Sequence, residues 1–553
     1  MAKKSNRPNV IFIITDDQGY GDIGCHGNPI LQTPHLDRMV RESVELADHH
    51  HDPLCSPSRA ALLTGQYAAR NGVWHVIHGR HLLHPDALTM ADHFSASGYR
   101  CGMFGKWHLG DNYPFAPQYR GFHEAFCHRG GGVGELPDYW GNNYIDDTYF
   151  RNGEPEKCAG YCTDVFFDAA LDFIESNSES PFFVYLATNA MHAPFIVPER
   201  YAAPYKAQGI PDRRAEFYGM IANFDENMGR LYQELKQLQL EEDTIVVFTS
   251  DHGTAAGYDP ETGDGYNAGM RGVKGSVYDG GHRVSFLLRW QGTLPAERKI
   301  TQLSAHIDIL PTLLGLCGIA PAADVAFDGL SLAPLIRGDE SELPERSVVI
   351  QLQPNQPRKW RHSAVLNNRW RLINGEELYD IKSDPAQNYS VSAANGCKLA
   401  ELRGEYDRFW GDMQDAFTKV IAIPVGANHE NPVLLSARDW HPTHGRVPWK
   451  QSWIDSPAYD ANGFWLVDVV KPGRYAIELR SHPVEANIAM RIDQAVLRIG
   501  ADERSQATGK DDRLAAFTVD LRAGLTSLST TLSSTAEGRE RGAYYVYVRR
   551  LKS

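Results

Sequence analysis

"NVIFIITDD", running from Asn9 to Asp17, decides the fold. Its centre, Val10–Ile14, is apolar without alternation, so a strand built from it must be covered on both faces. Three more runs share that texture: "FFVYLA" (182–187), "TIVVFTS" (244–250) and "VSFLLRW" (284–290). Between two of them, Phe217, Met220, Ile221, Phe224, Met228 and Leu231 recur at helical spacing and predict a helix over about Arg213–Leu238. Strands alternating with helices predict an α/β sandwich around a large, mostly parallel sheet. In such sheets, sites gather at the carboxyl ends of the strands.

The first strand ends in Asp16 and Asp17, and the third run is followed by Asp251 and His252. Their oxygens suit one hard cation shared between two strand ends. Strand-end turn chemistry is the plainer reading of either cluster alone. His252 is either a ligand or a group that orients a neighbouring carboxylate.

Composition narrows the partners. The chain has 553 residues, enough for a large core and more than one domain. Net charge is −14, from 55 Lys+Arg against 69 Asp+Glu, with no basic stripe, so nucleic acid is not an expected partner. No apolar run approaches the roughly 20 residues of a membrane span, and no membrane partner is expected. The apolar stretch after Lys3 and Lys4 is too short for a signal peptide. The expected compartment is cytoplasmic for a full native chain, and periplasmic or secreted if a leader has been removed. Eight cysteines include no CxxC pair, and Cys158 and Cys162 are expected to be free thiols.

Texture divides the chain into residues 1–325, an α/β domain, 326–430, a smaller α+β subdomain, and 431–553, a β-sandwich module. The subdomain carries "ELYDIKSDPAQNYS" (377–390) and a helix over about Cys397–Ala416. In the module, "GFWLVDVVKPGRYAIELRSH" (463–482) and "RGAYYVYVRR" (541–550) alternate with period two, as an antiparallel sheet does. Trp440, Trp449, Trp453 and Trp465 either fill its core and interface or stack on sugar rings.

Five cationic or titratable side chains sit beside glycine, proline or strand ends, where loops present groups to a pocket: Arg59, Lys106, His108, His192 and Lys274. As a set beside a divalent cation they make an oxyanion site. "PLCSPSRAALLTG" (53–65) puts Cys55 at a helix N-terminus, with Pro57 in the first turn and Gly65 beyond the end.

The "CSPSR" core followed by "AALLTG" resembles the signature of the type I, formylglycine-dependent sulfatases of the alkaline phosphatase superfamily. "NVIFIITDDQGYGD", "GKWHLG", "MHAPF", "FTSDHG", "KGSVYDGG" and "ELYDIKSDP" follow that family's pattern. The resemblance covers about Asn9 to Ala416 and leaves the last quarter unexplained. His252 stands where many members carry Asn, and Ser285 where Pro is frequent.

The resemblance implies an alkaline phosphatase-like fold and hydrolysis of aryl or carbohydrate sulfate monoesters. It implies that a maturation enzyme oxidises Cys55 to formylglycine (3-oxoalanine), whose hydrate attacks sulfur and then expels sulfate as the aldehyde returns. Asp16, Asp17, Asp251 and His252 would hold Ca2+, with Mg2+ the alternative, together with the modified Cys55. Arg59 would stabilise the diol, His108 would be the elimination base, and Lys106 would contact sulfate. His192 and Lys274 would face the leaving group, one of them protonating it.

Two other functions compete: a phosphodiesterase or phosphonate monoester hydrolase of the same superfamily, and a non-catalytic binder of sulfated glycans. The natural ester and the oligomeric state stay open. Trp74, His75, His78, His81 and His84 either line the pocket or stabilise their loop.

Overall fold

The computed structural model describes residues 7–419 and 421–552; Lys3 and Lys4 lie outside them. The elements that build the site are, in chain order, β1 (Asn9–Thr15), α1 (Cys55–Thr64), β2 (Arg100–Lys106), α2 (Cys162–Ser176), β3 (Phe182–Ala187), α3 (Asp212–Gln237) and β4 (Thr244–Ser250). Among the described residues the four strands belong to a ten-stranded sheet with β1 near its middle. β1 pairs in parallel with β3 on one side and with β4 on the other, and β3 pairs in parallel with β2. Phe286–Arg289 closes onto β4 antiparallel, so the sheet is mostly but not wholly parallel.

Every residue of β1 is buried, which is why it does not alternate. Val10, Phe12 and Ile14 face a core that includes the Ala60–Leu63 stretch of α1. Ile11 and Ile13 face the opposite core, filled by Phe166 and Phe173 of α2 and by Phe217, Met220 and Phe224 of α3. Helices on both faces of this sheet give the three-layer α/β sandwich.

Two smaller units follow. Val348–Gln351, Ser363–Leu366, Trp370–Ile373 and Glu377–Asp380 form an antiparallel sheet covered by the helix Gly396–Thr418 through Leu402, Tyr406 and Met413. Downstream, a seven-stranded and a four-stranded sheet enclose a third core. Ile423–Val425, upstream of Asn431, already pairs with Asn462–Val469 in the larger of the two. Trp440 and Trp465 meet in this core with ring centroids 5.4 Å apart. The same core takes in Leu82, Phe115 and Leu136 from the α/β portion, and Tyr545 Oη donates to the Leu136 carbonyl at 2.7 Å. The sandwich is therefore packed onto the α/β portion. Trp449 and Trp453 lie half-buried at its margin, edge to face at 5.0 Å.

No helix among the described residues is long and apolar enough to cross a membrane. Cys158 and Cys162 are free thiols.

Candidate active site

Register builds the centre of the site. Thr15 and Ser250 are paired neighbours at the ends of β1 and β4, so the residues that follow, Asp16, Asp17, Asp251 and His252, emerge side by side. Asp17 turns back with a φ of 63° and donates its N–H to Asp251 Oδ1 at 3.2 Å. α1 enters from the loop side with Cys55 as its first residue. Gly65 ends it with a φ of 67°, its N–H returned to the Ala61 carbonyl, a geometry a side chain would strain. All ten residues of α1 are buried, and Cys55 is 3% exposed.

Donor atoms of Asp16, Cys55, Asp251 and His252 lie within 4.8 Å of one another, and those of Asp16, Asp17 and His192 form a second such group. His252 Nδ1 lies 3.1 Å from the Gly253 carbonyl, to which it donates. That leaves the Nε2 lone pair 3.3 Å from Asp17 Oδ1 and 3.4 Å from Asp251 Oδ1. Neither His252 Nε2 nor Asp16 Oδ1 has a hydrogen-bond partner among the described residues. Two buried acceptors left without a donor, beside further carboxylate oxygens, fit a cation. Burial and the Asp251 charge push the Asp16 carboxyl well above the usual range, against the pull of Lys106, the mark of carboxylates crowded together. Burial raises Asp251 too, but His252 and Arg59 hold it well below that range.

The cations ring this centre. Arg59, one turn beyond Cys55 and fully buried, donates to Asp251 Oδ2 from Nε at 3.1 Å and from Nη2 at 2.9 Å. Lys106, at the end of β2, reaches Asp16 Oδ2 at 2.5 Å. Lys274 reaches Asp17 Oδ1 at 2.7 Å. Against burial, Lys274, His192 and His252 bring Asp17 down to about 2. Burial and the charges of Lys274 and Lys106 push His192 down to about 3, so its ring is neutral near pH 7.

His108 leads to two residues outside the sequence expectations. Its Nε2 lies 3.2 Å from the Val76 carbonyl, and Nδ1 has no partner among the described residues. The guanidinium of Arg438 touches the same ring, donates to Val76 O at 2.9 Å, and pairs with Glu135 Oε2 at 2.6 Å. Burial first, then Arg438, holds His108 well below the usual imidazole range. Arg438 stands on a short turn, Ala437–Asp439, in the sandwich; it is 3% exposed. Glu135 follows "RGGGVG" (129–134), whose glycines let the loop approach both histidines. A Cβ on Gly131 would lie 2.5 Å from His108 Cε1, and one on Gly132 2.9 Å from His192 Nδ1. The glycine run was the available signal for Glu135; nothing local marks Arg438.

The loop after α1 divides. His81 reaches Asp439 at 3.2 Å and lies 6.1 Å from His108 between ring centroids. Trp74 packs edge-on against Phe417, His75 and His78 stack at 5.9 Å, and His84 turns to Asp86. Another buried cluster, His50, Asp279 and His282, is satisfied internally. The two histidines share a contact at 2.9 Å and Asp279 accepts from Arg371 at 3.2 Å, so a cation has no call on it.

Comparison with known proteins agrees with this geometry. The family described as "Sulfatase" matches residues 8–319, and "N-sulphoglucosamine sulphohydrolase, C-terminal" matches 273–403. N-acetylgalactosamine-6-sulfatase of Canis lupus familiaris is 32% identical over 360 residues, covering 60% of this chain and 66% of that protein. This chain thus spans just under two thirds of that relative. Arylsulfatase A of Homo sapiens is 30% identical over 425 residues, covering 70% and 79%. The crystal structure of Ps i-CgsB in complex with k-i-k-neocarrahexaose superposes with a TM-score of 0.66 at 27% identity, covering 74% of this chain and 94% of that one.

Proposed function

The chain belongs to the sulfatase family, and on that premise we propose that it is a sulfuric ester hydrolase acting on sulfated carbohydrate, with Cys55, as formylglycine, its nucleophile. The observation that carries this reading is Cys55 at the start of a buried helix, its sulfur within 4.8 Å of donors from Asp16, Asp251 and His252. A non-catalytic glycan binder has no need of that convergence. Carbohydrate is favoured because one relative is named N-acetylgalactosamine-6-sulfatase and one structural neighbour is solved with k-i-k-neocarrahexaose, although other relatives are named arylsulfatase A and steryl-sulfatase.

The family uses formylglycine and a divalent metal. The oxygen-rich donor set of Asp16, Asp17 and Asp251, with His252 Nε2 and residue 55, suits Ca2+, with Mg2+ the alternative. Bound there, the cation supplies positive charge that acidifies a hydroxyl and steadies sulfate oxygens. Formylglycine, as a hydrated aldehyde, supplies one hydroxyl for attack and a second whose deprotonation releases sulfate.

The chain's own residues do the rest. Burial opposes the charge on Arg59, yet Asp251 raises its basicity further, so it stays a permanent cation one turn from residue 55 and offsets negative charge there. Lys106 presents an ammonium to the sulfate. His108, whose Nδ1 has no hydrogen-bond partner among the described residues, is the group assigned to take the second hydroxyl's proton. On the leaving-group side His192 is neutral, and Lys274, held charged by Asp17 despite burial, carries the proton available to the departing oxygen.

Initial rates on sulfate, phosphate and phosphonate esters of one phenol test the reading. The sulfate ester is expected to give the largest kcat/KM. Faster turnover of a phosphodiester or phosphonate would move the protein to the competing hydrolases, and no turnover of any would leave a binder.

Arg438 gives a sharper test of the site. Arg438→Ala lets His108 swing and is expected to lower kcat about 100-fold on a small aryl sulfate. It also strands the buried Glu135 carboxylate, at a cost of about 3–5 kcal/mol in stability. Steady-state kinetics on protein shown by a thermal melt to be folded would check this. A folded variant with wild-type kcat would remove Arg438 from the working site.

A further inference from the structure

A cavity of about 500 Å3 opens beside His192. Its lining includes Glu135 and also Ala193 and Pro194, the residues directly after His192. Tyr144, on its wall, donates to the His192 carbonyl at 3.0 Å. The cavity therefore begins where the leaving group departs. Its outer wall comes from the sandwich: Lys450, Gln451, Ser452 and Asp455.

That wall is fixed in place. Gln451 Nε2 donates to the carbonyls of Glu135, Asp138 and Tyr139 at 3.1, 3.0 and 3.2 Å, and its Oε1 accepts from Gly141 N at 3.0 Å. Leu136 N donates to the Trp449 carbonyl at 3.0 Å. A cleft held this way keeps its shape without ligand, and preorganisation lowers the cost of binding.

Its chemistry is specific. Trp140 is half-buried on the rim, edge-on to His482 at 5.0 Å, and offers an aromatic surface. Lys450 lies over Trp449 and Trp453, 5.0 and 5.5 Å from the ring centroids. Among the described residues it has no carboxylate partner, so its charge is available to a ligand. Asp455, the cavity's other ionisable outer residue, is drawn to His482 Nε2 at 3.4 Å.

We propose that this cleft holds the sugar next to the one that carries the scissile ester, and that Lys450 reads an anionic group, sulfate or carboxylate, on that second sugar while Trp140 supports its ring. The preferred substrate is then an acidic oligosaccharide. This rests on the sulfatase reading and deepens it.

The test uses three sulfated disaccharides that share the scissile sugar. Their second sugar is neutral, sulfated or a uronate. The ratio of kcat/KM, charged over neutral, is expected to fall about tenfold in Lys450→Ala, further in Lys450→Glu, and to recover in Lys450→Arg. Loss for only one of the two anionic sugars would name the group that is read. A ratio that stays at the wild-type value in all three variants overturns the proposal. Calorimetric binding of the charged disaccharides to Cys55→Ala protein gives the same comparison without turnover, with Kd expected to rise about tenfold when Lys450→Ala is added. Should the wild type turn over no sulfate ester, the sulfatase reading fails, while this binding measurement still decides the cleft.

Discussion

Cys55→Ala is expected to fold and to lose turnover by a factor on the order of 10^4–10^6, the scale of removing a nucleophile from a concerted site. The helix that begins at Cys55 owes its place to the packing of Ala60–Leu63 rather than to the sulfur. An alanine methyl fits the same buried position, so structure survives while chemistry stops. Cys55→Ser is expected to be inactive too, or to stall as a sulfated enzyme, unless the host has a serine-oxidising maturase. Turnover of an aryl sulfate, measured beside mass spectrometry of the residue-55 peptide, checks both halves. An aldehyde should appear in the wild type, and full activity in the alanine variant would sink the mechanism.

Removing the metal should be nearly as severe. Chelator is expected to abolish activity and Ca2+ or Mg2+ to restore it. Asp251→Asn should lower kcat/KM by about 10^3-fold or more, since Asp251 both faces the shared cation position and anchors Arg59. Asp16, Asp17 and Asp251 are all buried and repel one another, so a cation between them binds the folded state alone and should raise the melting temperature with its concentration. That readout is independent of turnover. Wild-type rates for Asp251→Asn in chelator would show that these residues hold no required metal.

Much of the centre was legible because its geometry follows from short-range rules. A uniformly apolar run must lie inside a sheet, and parallel neighbours end at one edge, so Asp16 and Asp251 had to meet. Helix limits fell where periodicity put them: Arg213–Leu238 was expected and Asp212–Gln237 is found. Pattern alone leaves the four tryptophans between core and sugar stacking; Trp465 lies buried on a strand of period two, while Trp449 and Trp453 sit half-buried in and beside a short turn that has no such period. Arg438 was out of reach for a different reason. Its partner Glu135 is 303 residues away, and an ion pair at that separation leaves no trace in local pattern. His252 stayed ambiguous until its Nδ1 was seen to be occupied by a backbone carbonyl.

The turn that carries Arg438 is held by a strand, Val433–Ser436, at the edge of its sheet, whose strand partner there is Tyr545–Arg550. Asn431 and Arg550, which bond to each other across that pair, are 119 residues apart. At typical translation speeds roughly ten seconds pass between making the turn and making the strand that fixes it. Over that interval a nascent chain can already have folded its large sheet and buried Cys55, yet the wall behind His108 is not in place. The turn behind His108 is therefore fixed only once Tyr545–Arg550 has been made and paired.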